Sequence, residues 1–305
     1  MGSDSILEKR TNVIRGRHLK ILFLHHNYPA QFGFLHEAAK KFGYDSRFLC
    51  ETAPWDKQSH RGVERLYENN SIAPKRTSMQ SQIDCGYVYM NKMHKMLSEG
   101  FYPDVVVSHT GWGCGLFAKY IFPNARLISY CELWFNATIK EYRGIKEQFE
   151  LDEKQSLSMY KRNITQSSEM SLSDEIVCAT SWQKKLLPER LAEHAHVIHE
   201  GTDCNYFVQN DLWKKSSKKL ITYATRGMEP MRGFPEFING TIEFMRQYRK
   251  DFSVEIAGQD KVFYGQQGKV SYRKKAQVEI DSNQLTEDII FRGRLERKEY
   301  ARSIW

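Results

Sequence analysis

Residues Asp104–Glu132 read DVVVSHTGWGCGLFAKYIFPNARLISYCE. Val105–His109 is a short apolar run opened by Tyr102-Pro103-Asp104, the pattern of a strand buried on both faces. Gly111–Gly115 (GWGCG) leads a short helix to Phe122, Pro123-Asn124 breaks it, and Arg126–Cys131 is a second apolar strand. Strand, helix and strand in so short a span make a parallel crossover unit, with helices packed on the faces of the sheet.

The alternation extends in both directions. Upstream, His18–His26 is a largely apolar strand closed by Pro29, Phe32–Phe42 has helical spacing, and Tyr44–Cys50 follows Gly43 as a strand. Met79–Leu97 is a long helix with Met79, Ile83, Tyr87, Met90 and Leu97 on one face. Downstream, residues 134–153 are irregular and charged, Lys154–Met170 is a helix and Glu175–Ala179 a strand. Thr180-Ser181 caps a helix from Trp182, Ala195–His199 is a strand, and Glu200–Asn205 a loop. Val208–Lys219 (VQNDLWKKSSKK) is polar and basic and reads as a linker.

Beyond it, Leu220–Ala224 is a strand and Gly233–Tyr248 a helix with Phe234, Phe237, Ile238, Ile242, Met245 and Tyr248 inward. Phe252–Ala257 is a strand, 259–283 a polar loop, Asp288–Phe291 a strand, and Glu296–Trp305 the start of a helix. The expected fold is α/β: two Rossmann-like, doubly wound parallel-sheet domains facing a cleft, the second incomplete. The expected division is a flexible basic N-terminus over 1–17, a first domain over 18–207, a linker over 208–219 and a partial second domain over 220–305.

The 305 residues are 41% hydrophobic, 13% aromatic and 27% charged, which excludes wholesale disorder. No apolar stretch is long enough to span a membrane, and the first twenty residues lack a secretory signal, so a cytoplasmic protein is expected. None of the six cysteines forms a C-x-x-C pair, which excludes zinc ribbons and thioredoxin chemistry. Of the net charge of +8, residues 208–305 carry +6. That balance favours anionic partners: nucleic acid, an anionic membrane surface contacted peripherally, or phosphorylated ligands; of these, nucleic acid is the one not expected.

Ligands of such folds bind at the carboxyl ends of strands, so the chemistry is sought there. Arg226 follows the strand ending at Ala224, and Arg232 and Gly233 precede a helix. Two guanidiniums beside a helix start suit a diphosphate, although the spacing also fits two exposed surface arginines. Asn27, Gln31 and Gly33 follow the first strand and Glu200 and Gly201 a later one; both loops are placed to line a cleft. His109 and Glu132 end neighbouring strands, where they suit acid–base work or sugar-hydroxyl binding, or a purely structural role for the histidine. The chain has no G-x-G-x-x-G fingerprint, no P-loop and no G-x-S-x-G elbow, which disfavours dehydrogenases, P-loop kinases and α/β-hydrolases. The histidines near 194–199 do not share one strand face, so no metal site is expected.

These segments resemble the retaining, nucleotide-sugar-dependent glycosyltransferases of family 4, which have the GT-B fold. Val197–Phe207 (VIHEGTDCNYF) is similar to the family's crossing segment, and Tyr223–Gly233 to its donor-diphosphate motif, with Arg226 on the Arg and Arg232 on the Lys. Asp104–Glu132 resembles a subgroup with an H-x-G-W-G turn and a Y-x-E strand end. The resemblance implies transfer of a sugar from a nucleotide-diphosphate donor to a hydroxyl of a glycan or lipid-linked glycan, with retention. It implies no cofactor and no metal, because Arg226, Arg232 and a helix terminus would neutralise the leaving diphosphate. His109 and Glu132 would be catalytic, and Asn27–Gly33 would face the acceptor. The chain departs from the family in having only Gly33 where many members carry a Gly-Gly pair, Cys131-Glu132 where a His is frequent, and Thr225 for Gly. The family's E-x7-E segment would lie beyond Trp305, so a truncated second domain is expected.

Overall fold

The computed structural model describes residues 18–51, 61–67, 78–135, 153–202, 204, 206–207, 218–263 and 271–303. The expected N-terminal tail, most of the irregular segment before the 153–171 helix and most of the linker lie outside the described residues. The chain divides into two compact units, with the boundary between Glu200 and Gly201.

Among the described residues the first unit holds seven strands: β1 (Lys20–Leu24), β2 (Asp45–Cys50), β3 (Val63–Arg65), β4 (Val105–His109), β5 (Arg126–Tyr130), β6 (Glu175–Cys178) and β7 (Ala195–Val197). All pair in parallel, in the order β3-β2-β1-β4-β5-β6-β7. Its helices are α1 (Gly33–Lys41), α2 (Met79–Ser98), α3 (Ala118–Ile121), α4 (Glu153–Ser171), α5 (Ser181–Leu186) and α6 (Glu189–Ala192), with a 3-10 turn at Thr110–Trp112. The apolar runs predicted as strands form the sheet because burial on both faces leaves backbone pairing as the way to satisfy their N–H and C=O groups. Thr180 caps α5 as the sequence indicates, its hydroxyl accepting from Gln183 N–H.

The buried face of α2 differs from the expected one. It runs through Gln82, Cys85, Gly86, Tyr89, Met93 and Met96, while Tyr87 is half exposed. Gly86 explains the rotation: a Cβ there would press on the Phe117 ring and the Gly113 carbonyl, so the small residue faces inward where the helix approaches most closely. The short helix expected to lead from GWGCG to Phe122 is the single turn α3, and a 3-10 turn ending at Gly113 precedes it. Gly113 has φ +82°, and a Cβ would overlap the Gln82 carbonyl, so the turn needs glycine on both counts.

The second unit holds β8 (Lys219–Gly227), β9 (Phe252–Gln259) and β10 (Ile289–Gly293), parallel in the order β10-β9-β8. Helices α7 (Phe234–Tyr248), α8 (Tyr272–Ser282) and α9 (Arg297–Ser303) accompany them. Its core is its own, with Met228, Phe234, Ile238, Met245, Val254, Ile256 and Ile280 almost wholly buried. Three expectations are corrected here. β8 continues past Ala224 to Gly227 through an irregular register. The polar stretch 259–283, read as loop, contains α8: Ser271 caps it by accepting from Lys274 N–H, and Ala276 and Ile280, four apart, bury one edge. Tyr248, expected inward on α7, is nearly half exposed. Among the described residues no helix is long and apolar enough to cross a membrane.

Candidate functional site

The order of the first sheet reverses between β1 and β4, and in folds of this kind the carboxyl edge at such a reversal is where ligands bind. Leu24 pairs with Ser108, so the next residues, His25 and His109, lie side by side; their rings meet edge-on with centroids 4.8 Å apart. β5 pairs His109 with Tyr130 and brings Glu132 beside them. His109 and Glu132 therefore come together as the sequence suggested, at 3.1 Å.

Hydrogen bonding fixes the protons of both rings. Gly111 N–H donates to His109 Nδ1 at 3.2 Å, so Nε2 carries the proton and donates to Glu132 Oε2. Asn27 N–H donates to His25 Nδ1 at 2.9 Å, so His25 Nε2–H donates to the Gln31 amide oxygen at 2.9 Å. Burial and the adjacent His109 push the His25 pKa down to about 2, which keeps that ring neutral. Asn27 and Gln31 thus act on His25: one through its backbone, the other through its side chain. Gly33 opens α1, where a Cβ would overlap that of Pro29.

The turn after β4 is tied to two helices. Gln82 Nε2 donates to Gly111 O at 2.9 Å, and Thr110 Oγ1 donates to Gln166 Oε1 at 2.9 Å. Gln183 Nε2 donates to the Glu132 carbonyl at 2.7 Å, fixing the backbone behind the carboxylate. Tyr130 donates its hydroxyl hydrogen to Glu200 Oε1, and burial together with this carboxylate raises the phenol pKa. The Glu132 side chain is 45% exposed. At this edge the partly exposed Glu132 and the exposed Glu200 can accept hydrogen bonds from sugar hydroxyls, while the rings of Phe32 and Tyr130 are buried beneath them in the core. Gly201, at φ +77°, belongs to the second unit.

In the second unit a cavity of about 560 Å³ opens at the carboxyl ends of the strands. Arg226, at the end of β8, lines it together with Gly258, Lys261, Phe263, Arg294 and Tyr300. The Arg226 guanidinium sits 4.2 Å from the centroid of the Phe263 ring. Arg232 is not among the lining residues; its Nε lies 3.6 Å from the carboxylate of the fully buried Glu229. The two arginines read as one diphosphate site are thus arranged differently, with Lys261 and Arg294 joining Arg226 at the cavity. Sequence reading missed both because they lie on loops 35 and 68 residues beyond Arg226. The signal for Arg294 was its place just after a predicted strand. Gly233 starts α7 with φ +66°. Among the described residues no three His, Cys, Asp or Glu side chains group as metal ligands.

A model of the glycosyl transferase family 4 group matches residues 45–207, more than half of the chain. The chain belongs to this family. No curated protein sequence matches it. Among solved structures, HepE from Anabaena in complex with UDP and glucose is similar at TM-score 0.57 and 14% identity, over 92% of this chain and 70% of that one. The catalytic domain of starch synthase IV from Arabidopsis thaliana, bound to ADP and acarbose, matches at 0.59 and 10% over 93% and 76%. UDP-GlcNAc 2-epimerase from Methanocaldococcus jannaschii matches at 0.50 and 12% over 93% and 75%. At these identities the likeness shows the fold, the two-domain GT-B architecture, and that fold serves transferases and epimerases alike.

Proposed function

We propose that the family 4 chain transfers a glycosyl group from a nucleoside-diphosphate sugar to a hydroxyl of a glycan or lipid-linked glycan, with retention of configuration. The observation that carries this reading is the cationic cavity of the second unit, with Arg226, Lys261 and Arg294 at the strand ends. In the reaction the bond between the anomeric carbon and the diphosphate oxygen breaks, and the electron pair leaves with the diphosphate. The acceptor oxygen bonds to the anomeric carbon on the same face, and its proton passes to the departing phosphate oxygen. Permanent charges fixed beforehand stabilise the negative charge that develops there. Three cations serve that end here without a metal or cofactor.

The carboxyl edge of the first sheet receives the acceptor in this reading. Glu132 accepts a hydrogen bond from an acceptor hydroxyl, and His109, whose two ring nitrogens are both engaged, orients Glu132. Asn27, Gln31 and Gly33 shape the loop beside it, and Tyr130 holds Glu200 at the rim. A lipid-linked acceptor would place a cytoplasmic chain at an anionic membrane surface, in keeping with its net charge of +8.

Calorimetric titration with UDP, ADP and GDP tests the donor site. At least one of them binds, and Arg226→Ala weakens it ten- to a hundredfold, about the worth of one or two charged hydrogen bonds. Failure of all three to bind the wild-type chain, or an unchanged affinity in the variant, overturns the assignment. Binding of a sugar nucleotide without hydrolysis or transfer would make the chain a binding protein rather than an enzyme.

A further inference from the structure

Glu229 has no exposed surface, and it is carried on a turn next to the cationic cavity. A buried carboxylate is costly unless its neighbours repay it. Here the repayment crosses 34 residues of sequence: Phe263 N–H donates to Glu229 Oε2 at 2.5 Å. The ring of the same Phe263 lies under the Arg226 guanidinium. Two further features lay the 259–263 segment along the end of β8. Met228 N–H donates to Gln259 O at 2.9 Å, and Gly227 lacks the Cβ that would strike the Lys261 carbonyl and the Phe263 ring.

We propose that Glu229 is a positioning residue for the donor diphosphate. It acts through Phe263, whose backbone it pins and whose ring holds Arg226 in the cavity. The proposal rests on the reading of that cavity as a nucleoside-diphosphate site. An arginine loses affinity for phosphate when its side chain must be ordered at the moment of binding, and a ring that already supports it removes part of that cost. The same carboxylate also lies 3.6 Å from Arg232 Nε, but Arg232 is not among the cavity's lining residues, so the route to the cavity runs through Phe263.

The test uses the full chain, with UDP, ADP and GDP titrated in parallel. Glu229→Gln keeps an oxygen for Phe263 N–H, and Glu229→Asp withdraws the acceptor by one methylene. Glu229→Gln is expected within about threefold of wild-type affinity and Glu229→Asp at least about tenfold weaker, with Arg226→Ala as the reference for loss of the site. Phe263→Leu, which keeps the backbone bond but removes the ring, is expected to match Glu229→Asp, and the double variant to be no weaker than either. Equal affinity for all variants overturns the proposal while leaving the cavity assignment intact, provided Arg226→Ala is weak. Equal losses for Gln and Asp, or additive losses in the double variant, overturn the route through Phe263. If Glu229→Asp does not fold, Phe263→Leu in the Glu229→Gln background decides: unchanged affinity overturns the proposal. No binding by the wild-type chain refutes the cavity reading instead.

Discussion

Glu169 shows how one residue in the body of the fold sets a property of the whole. It lies fully buried on α4, its Oε1 accepting from Ser129 Oγ at 3.3 Å. Burial pushes its pKa up to about 7, and hydrogen bonds from its neighbours hold it from rising further. The folded state therefore prefers the protonated acid. Its contribution to stability is complete below the unfolded carboxyl pKa of about 4.5, and is lost as pH rises through about 7. Glu169→Gln, neutral at every pH, should gain stability over the wild type progressively between those values and hold a constant gain above them. Urea unfolding midpoints of the pair across this range measure it; a gain that does not vary with pH would show that the buried acid does not titrate there.

At the scale of single elements, helix α2 separates surface from core effects. Ser78 and Ser81 form a reciprocal capping box at its start, Ser78 Oγ accepting from Ser81 N–H at 3.1 Å and Ser81 Oγ from Ser78 N–H at 3.0 Å. Ser78→Ala should cost about 1 kcal/mol, the worth of an exposed N-cap. Met93, wholly buried on the same helix, should cost about 2–5 kcal/mol as Met93→Ala, since a cavity adds to the lost burial. Denaturant unfolding of both variants checks the order, and equal losses would contradict it. The strands built from apolar runs were legible in the sequence, because a strand buried on both faces needs apolar residues throughout. Elements with little to bury were not. β3 is three half-buried residues, and α8 buries only Ala276 and Ile280, with Tyr272 partly buried against the core, so its charged faces read as loop. The candidate site divides in the same way. His109 and Glu132 were legible because they end adjacent strands. Glu229 was not, because a Glu-Pro pair reads as an exposed turn and nothing local reveals that a backbone N–H 34 residues away satisfies its carboxylate.

In the whole molecule, each unit buries a core of its own. Met245 and Ile256 belong to one cluster, Leu22, Leu24 and Tyr89 to another. Units with separate cores can melt separately. A nucleoside diphosphate bound in the cavity of the second unit stabilises that unit by about 2.7 kcal/mol when present at a hundred times its dissociation constant. Met245→Ala, with the side chain wholly buried, should remove about 2–5 kcal/mol from the same unit. Scanning calorimetry should therefore show two transitions. The one that rises with saturating UDP, ADP or GDP should be the one that falls in Met245→Ala, while Met93→Ala lowers the other. A single transition moved by all three perturbations would show that the units unfold together. Opposite assignments for ligand and variant would place the nucleotide outside the second unit, because mass action raises only the transition of the unit that holds the ligand.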